Sequence, residues 1–262
     1  MFKKRFIGVI TVRDGLAVQS FSFKKYLPIG DPLILAENFD RWGVDEILVL
    51  SIDRTLKNLG PDFSLLKDLN SKALSTPLTF GGGINCIEHA KSVIHLGAER
   101  ICVDSMLRNN PLLVKEISCV IGAQAIIGSL PVCVQNGGLR WYDYEQNSQY
   151  LLTDAVKELF EDNYVSEALI IDYINDGSLG EFNVDILRSV PLKNVPLIAF
   201  GGVTQPEKIH EILDMKHLIG FGIGNSLSYR EHAVQKLREK INHADMRDTH
   251  YYNQYAINSE LC

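Results

Sequence analysis

Pro77-Leu78-Thr79-Phe80-Gly81-Gly82-Gly83 is a short apolar run ending in glycines, and half a chain later it returns as Pro196-Leu197-Ile198-Ala199-Phe200-Gly201-Gly202. Glu46-Ile47-Leu48 is echoed by Glu167-Ala168-Leu169, and Val103-Asp104-Ser105 by Gly224-Asn225-Ser226. Three echoes in the same order describe two fused halves. Strands are expected at 6–12, 46–52, 77–80, 100–103, 124–130, 168–173, 196–200 and 219–223, and their near-continuous apolar character suits burial on both faces of a parallel sheet. Helical periodicity occupies 31–42, 63–73, 86–96, 111–121, 151–163, 184–190, 206–214 and 229–242, with start signals such as Asp31-Pro32 and Asn110-Pro111. Eight strand–helix alternations predict an α/β fold, a (β/α)8 TIM barrel with a two-fold half-barrel repeat, rather than an open doubly wound sheet.

The barrel is expected to occupy residues 1–243 of the 262 as a single domain. Asn136-Gly137-Gly138 signals a hairpin within an insertion at about 132–145, after the fifth strand. The extension 244–262 is polar and carries Tyr251, Tyr252 and Tyr255, with Tyr229 nearby, which suits a docking segment better than a frayed end.

Composition narrows the function classes. With 46% hydrophobic and 22% charged residues the chain is ordinary globular material, and a net charge of -6 leaves no basic footprint for nucleic acid. No apolar stretch reaches the roughly 18 residues a membrane span requires. The opening Lys3-Lys4-Arg5 precedes apolar residues, but Arg13 and Asp14 cut that run too short for a signal peptide. Cys86, Cys102, Cys119, Cys133 and Cys262 show no ligand spacing, so free thiols in a cytoplasmic protein, with no metal and no cofactor, are expected.

Barrel enzymes carry their sites on the loops after the C-terminal strand ends. Here those loops hold Gly81-Gly82-Gly83 after the third strand and Gly201-Gly202 after the seventh, where glycine lets backbone N–H groups approach an anion closely. Neighbouring loops add Asp104-Ser105, Asp176-Gly177-Ser178 and Gly224-Asn225-Ser226. Gly82, Gly83, Asp104, Ser105, Gly177, Ser178, Gly201, Gly202, Asn225 and Ser226 are therefore candidate contacts for a small molecule with a phosphate at each end. Glycines that merely make tight turns are the plainer alternative. Asp14, Asp53, Asp104, Asp172 and Asp176 lie at or near the same rim, where a carboxylate also serves commonly as a helix cap.

The residues Val12-Arg13-Asp14-Gly15, Gly30-Asp31-Pro32, Gly81-Gly82-Gly83-Ile84, Asn109-Asn110-Pro111, Gln124-Ala125-Ile126, Asn175-Asp176-Gly177-Ser178 and Gly201-Gly202 closely resemble HisF, the cyclase subunit of imidazole glycerol phosphate synthase. The similarity runs from Arg5 to about Tyr229. It implies a barrel that takes ammonia from a HisH-like glutaminase at its N-terminal face and delivers it to a bisphosphorylated ribonucleotide at the C-terminal face. The family's gate of two basic and two acidic residues would fall on Arg5, Glu46, Arg100 and Glu167, with an arginine where lysine is usual; a salt-bridge plug serving stability alone is the competing reading.

The departures concern chemistry. The two aspartates that the resemblance assigns as general acid and base fall on Thr11 and Pro131, neither of which exchanges a proton near neutral pH. An aspartate late in the second strand is replaced by Ser51, a first-loop lysine by Gln19, and an asparagine by Asp104. Asp53 and Asp176 are possible substitutes for the lost pair; Asp176 matches a family position near bound substrate. The resemblance then points to the HisF-like branch that, with a HisH-like glutaminase and a sugar amidotransferase, converts an acetamido sugar into an acetamidino sugar for lipopolysaccharide or other surface glycan. A histidine-pathway cyclase with relocated acid and base is the alternative, and a non-catalytic phosphometabolite-binding module is a second.

Overall fold

The computed structural model describes residues 3–135, 137–229 and 233–247. Twelve strands form one sheet: β1 (Arg5–Arg13), β2 (Leu16–Phe21), β3 (Lys25–Gly30), β4 (Glu46–Ser51), β5 (Leu78–Gly81), β6 (Arg100–Val103), β7 (Ile126–Gln135), β8 (Gly138–Asp143), β9 (Ser148–Tyr150), β10 (Glu167–Asp172), β11 (Leu197–Phe200) and β12 (Leu218–Ile223). Eight of them, β1, β4, β5, β6, β7, β10, β11 and β12, pair in parallel, and β12 on β1 together with β7 on β10 closes the ring. This is the (β/α)8 barrel expected from the alternation.

Period-two alternation divides each strand between two cores. On β1, Phe6, Ile10 and Val12 join the outer cluster between sheet and helices, while Ile7 and Val9 join an inner one with Leu48, Ile127, Leu169 and Ile198. The helices begin where their capping residues dictate. Asp31 and Asn110 each accept a hydrogen bond from a backbone N–H of the first turn, with Pro32 and Pro111 occupying the position whose N–H needs no partner.

Three features depart from the expected pattern. The β2–β3 hairpin, antiparallel to β1, was not foreseen; Asp14 and Gly15, both at positive φ (52° and 77°), make the turn into it. Short helices Asp53–Leu56 and Ser105–Asn109 also lie outside the expected helical segments, in the loops after β4 and β6. The fifth barrel strand does not stop at residue 130. It runs through Pro131 to Gln135 and turns into β8, so the hairpin is a continuation of the strand. Proline is tolerated there because pairing with β6 ends at Gly128, and only the β10 side remains, with Ile171 opposite Pro131. Of the hairpin signal, Asn136 lies outside the described residues.

The chain end returns to the start of β1. Lys4 bridges to Met246, its N–H donates to the Asp245 carbonyl at 2.8 Å, and its ammonium donates to the carbonyls of Leu213 and Met215. Tyr251, Tyr252, Tyr255 and Cys262 lie outside the described residues. Among the described residues, no helix is long and apolar enough to cross a membrane.

Candidate active site

The strand starts place four charges at one end of the barrel. Arg5 begins β1, Glu46 β4, Arg100 β6 and Glu167 β10. Arg5 meets Glu46 at 3.1 Å and Glu167 at 2.5 Å; Arg100 meets Glu46 at 2.5 Å and Glu167 at 2.8 Å. Each cation touches both anions, so the ring is closed. Thr79 donates to the second oxygen of Glu46 at 2.6 Å. Such pairing is what makes these buried charges tolerable. The inner apolar cluster lines the barrel interior and includes Cys102, Ile171 and Phe200.

At the opposite end those same three side chains form part of the floor of a cavity of about 430 Å³. Its lining includes Thr11, Ser51, Asp53, Gly82, Gly83, Asp104, Ser105, Ser129, Tyr144 and Asp176. A second, water-sized concavity of about 30 Å³ gathers Gly177, Ser178, Gly202, Asn225 and Ser226, with Asp176 shared between the two. The candidate phosphate contacts thus fall into two groups, one from each half of the barrel; Gly201 does not line either concavity.

The two glycine clusters are built alike. Gly82 and Gly201 have φ of 108° and 96°, and a Cβ would stand 2.1 Å from the Ser51 carbonyl oxygen in the first and 2.5 Å from the Asp172 carbonyl oxygen in the second. The turns therefore require glycine whether or not an anion binds. Asn225 has a structural occupation too: its amide donates to the Ser20 carbonyl at 2.7 Å and accepts from the Ser20 N–H at 3.2 Å. Its side chain pins β2 across the mouth, which leaves its backbone as the part that can meet an anion. The Ser178 hydroxyl donates to the Asn175 carbonyl at 2.6 Å.

The hairpin is fastened to the far rim at further points. Ser22 donates from its N–H to the Asp176 carbonyl at 2.9 Å and from its hydroxyl to the Ile174 carbonyl at 2.6 Å. Phe23 at its tip packs on Tyr142 and Tyr173, whose rings stack 4.3 Å apart. The two hairpins together roof the cavity with aromatic rings.

The carboxyls of the mouth differ sharply. Asp53 is buried, which pushes its pKa up, but hydrogen bonds from Lys57 and the Asp14 N–H outweigh this and hold it below the usual range. It stays ionised, and the expectation that it replaces a lost general acid is not favoured by this pairing. Asp172 is buried with a raised pKa and accepts from Asn175 and the Asn183 N–H, a loop-capping role. Asp104 and Asp176 stand apart. Burial pushes Asp104 up to about 8; Arg108 opposes this, but it is engaged by Asp143 at 2.9 Å and Glu145 at 3.1 Å. Asp104 accepts from the Ser129 hydroxyl at 3.3 Å, and its Oδ1, shut off from solvent, has no hydrogen-bond partner. Burial pushes Asp176 up to about 7 against the lowering effect of hydrogen bonds from Ser20 and the Gly177 N–H, and its Oδ2 is shut off from solvent.

Thr11 lines the cavity, whereas Pro131 is buried in β7 two residues beyond Ser129 on the same face of the strand. Neither position supplies a carboxyl. Among the described residues, no group of three or more His, Cys, Asp or Glu side chains could hold a metal ion.

With this geometry in view, comparison with known proteins is informative. A family described as "Histidine biosynthesis protein" matches residues 5–233. A putative imidazole glycerol phosphate synthase subunit hisF2 from Vibrio vulnificus (strain YJ016) is 29% identical over 249 residues, covering 94% of this chain and 91% of the relative. An imidazole glycerol phosphate synthase subunit HisF from Staphylococcus aureus (strain MRSA252) is 29% identical over 253 residues, covering 92% of this chain and 97% of the relative.

Proposed function

The chain belongs to the histidine biosynthesis protein family, and from that membership we propose that it is the ammonia-using barrel subunit of a glutamine-dependent synthase complex. One observation carries the reading: a closed ring of four charges at one end of the barrel and a carboxyl-lined cavity at the other, with an apolar interior between them. In this reading Arg5, Glu46, Arg100 and Glu167 form the gate. A HisH-like glutaminase docks over it. Ammonia, small and neutral, crosses the apolar interior at lower cost than ammonium would. At the far end the glycine clusters hold an anionic acceptor.

For the acceptor, the names of the relatives favour the ribonucleotide from which imidazole glycerol phosphate is made, and that reading takes precedence. A second reading rests on Thr11 and Pro131, where the cyclase pattern has aspartates. There the ammonia serves amidation of an acetamido sugar, with a sugar amidotransferase as third component. The deciding experiment incubates the purified chain with a HisH-like glutaminase, glutamine and the bisphosphorylated ribonucleotide. Formation of imidazole glycerol phosphate establishes the first reading. Glutaminase activation without that product, together with transfer of amide nitrogen to an acetamido sugar nucleotide when the third protein is added, establishes the second. Tight binding of a phosphorylated compound with no nitrogen transfer in either assay would reduce the chain to a binding module.

A further inference from the structure

We infer that Asp104 is the catalytic proton donor of this barrel and that Asp176 is its proton-accepting counterpart. The inference rests on the ammonia-using reading and gives it the acid and base that Thr11 and Pro131 cannot supply. Both side chains line the same cavity, and each also has one carboxyl oxygen that is shut off from solvent and has no hydrogen-bond partner. A carboxyl kept buried and short of hydrogen bonds at the wall of a cavity is costly, and such groups are functional-site candidates. Asp104 follows β6 and Asp176 follows β10, the two neighbours of β7, which carries Pro131. The pair therefore flanks the strand on which the missing carboxylate would stand.

Burial raises the pKa of both carboxyls. Asp104 faces Asp143 and Glu145, whose charges disfavour its ionisation, and Arg108, which favours it and pairs with those two carboxylates through one of its terminal nitrogens. Tyr144 and Cys102 also adjoin it, and both are kept protonated by burial. Asp176 has Asp172 and Tyr26 nearby. Both carboxyls therefore titrate near neutral pH, the range in which a group can give and take a proton.

The chemistry common to both acceptors is replacement of a carbonyl oxygen by nitrogen. Ammonia's lone pair forms the C–N bond, the carbonyl π pair moves to oxygen, that oxygen takes the Asp104 proton, and the nitrogen gives a proton to Asp176. In the second half Asp176 returns its proton to the departing hydroxyl as the C–O bond breaks. The nitrogen loses a proton to Asp104 as the C=N bond forms. One carbonyl and one ammonia give one imine-type group and one water, and both carboxyls end as they began.

Asp104→Asn preserves the side chain's volume and removes the transferable proton. With ammonium chloride and the ribonucleotide, or the acetamido sugar nucleotide and its third protein, kcat should fall by about 100-fold or more while KM stays within about threefold. The wild-type pH profile should be a bell, limited below by Asp176 at about 7 and above by Asp104 at about 8. Asp104→Asn should lose the alkaline limb, and Asp104→Glu should recover part of kcat. Thermal melting confirms that each variant is folded. Wild-type kcat with an intact alkaline limb in Asp104→Asn overturns the assignment and leaves the ammonia-using reading standing. So does a raised KM at unchanged kcat, which makes Asp104 a phosphate contact. Wild-type protein inert towards both acceptors overturns the underlying reading itself.

Discussion

The two ends of this barrel treat charge in opposite ways. At the strand starts, four ionised side chains saturate one another, each cation touching both anions. At the strand ends, Asp104 and Asp176 each keep one buried oxygen without a partner, while Arg108 pairs with Asp143 and Glu145 and Lys57 pairs with Asp14 and Asp53. Full pairing gives a rigid element that has no preferred reactant. Withheld pairing keeps a carboxyl close to neutral and leaves it able to exchange a proton. Burial alone does not separate the two regions, since Glu46 is as enclosed as Asp176. The partners do.

The largest test of this contrast is Arg100→Met. It strands Glu46 and Glu167 with Arg5 as their one remaining cation in the ring, and the loss of a buried partner should destabilise the fold by roughly 3–5 kcal/mol in urea unfolding. A change near zero would mean that the ring is already relaxed by water and that the two ends are less different than drawn here. Next come Gly82→Ala and Gly201→Ala, which place a Cβ against a neighbouring carbonyl at positive φ. Each should cost on the order of 1–3 kcal/mol. Equal costs would support the structural equivalence of the half-barrels at the mouth.

The last test is a pH slope. Carboxyls whose folded pKa is raised contribute stability that is fully present below their unfolded pKa, about 4, and is lost as pH rises through the folded values of about 7 and about 8. Stability should therefore decline as pH rises from about 4 to about 8. Asp104→Asn should flatten the upper part of that decline, measured by urea titrations across the range. An unchanged slope in the variant would show that Asp104 ionises freely in the folded protein.

Much of this architecture was legible before any coordinates. Strand starts and ends follow from apolar runs that stop at glycine, and the four ring residues stand where those runs begin. Part of the missed hairpin was legible as well. Asp14-Gly15 is a strong turn signal between apolar segments, but its return strand, Lys25–Gly30, is largely exposed and interrupted by Pro28, so no alternation betrays it. The end of the fifth strand was misplaced for a physical reason: a proline stops a strand only where a neighbour needs its N–H. The distinction between Asp53 and Asp104 was half-visible. Lys57 lies four residues after Asp53 on a short helix, a spacing readable in sequence. The surroundings of Asp104 include Asp143 and Glu145, which pair with Arg108 from another hairpin, and only the folded chain brings them together.

The fastening of the first hairpin has one last consequence. Ser22 is tied to the backbone of Asp176, and Phe23 lies against the Tyr142–Tyr173 stack. Swinging the roof aside for a large molecule must break these links together, a collective loop movement of the microsecond-to-millisecond kind. Because the loop bearing Asp176 is among the parts released, admission of solvent and dispersal of the two carboxyls become a single event, and a half-finished intermediate is shielded from stray water for as long as the pair that acts on it remains assembled.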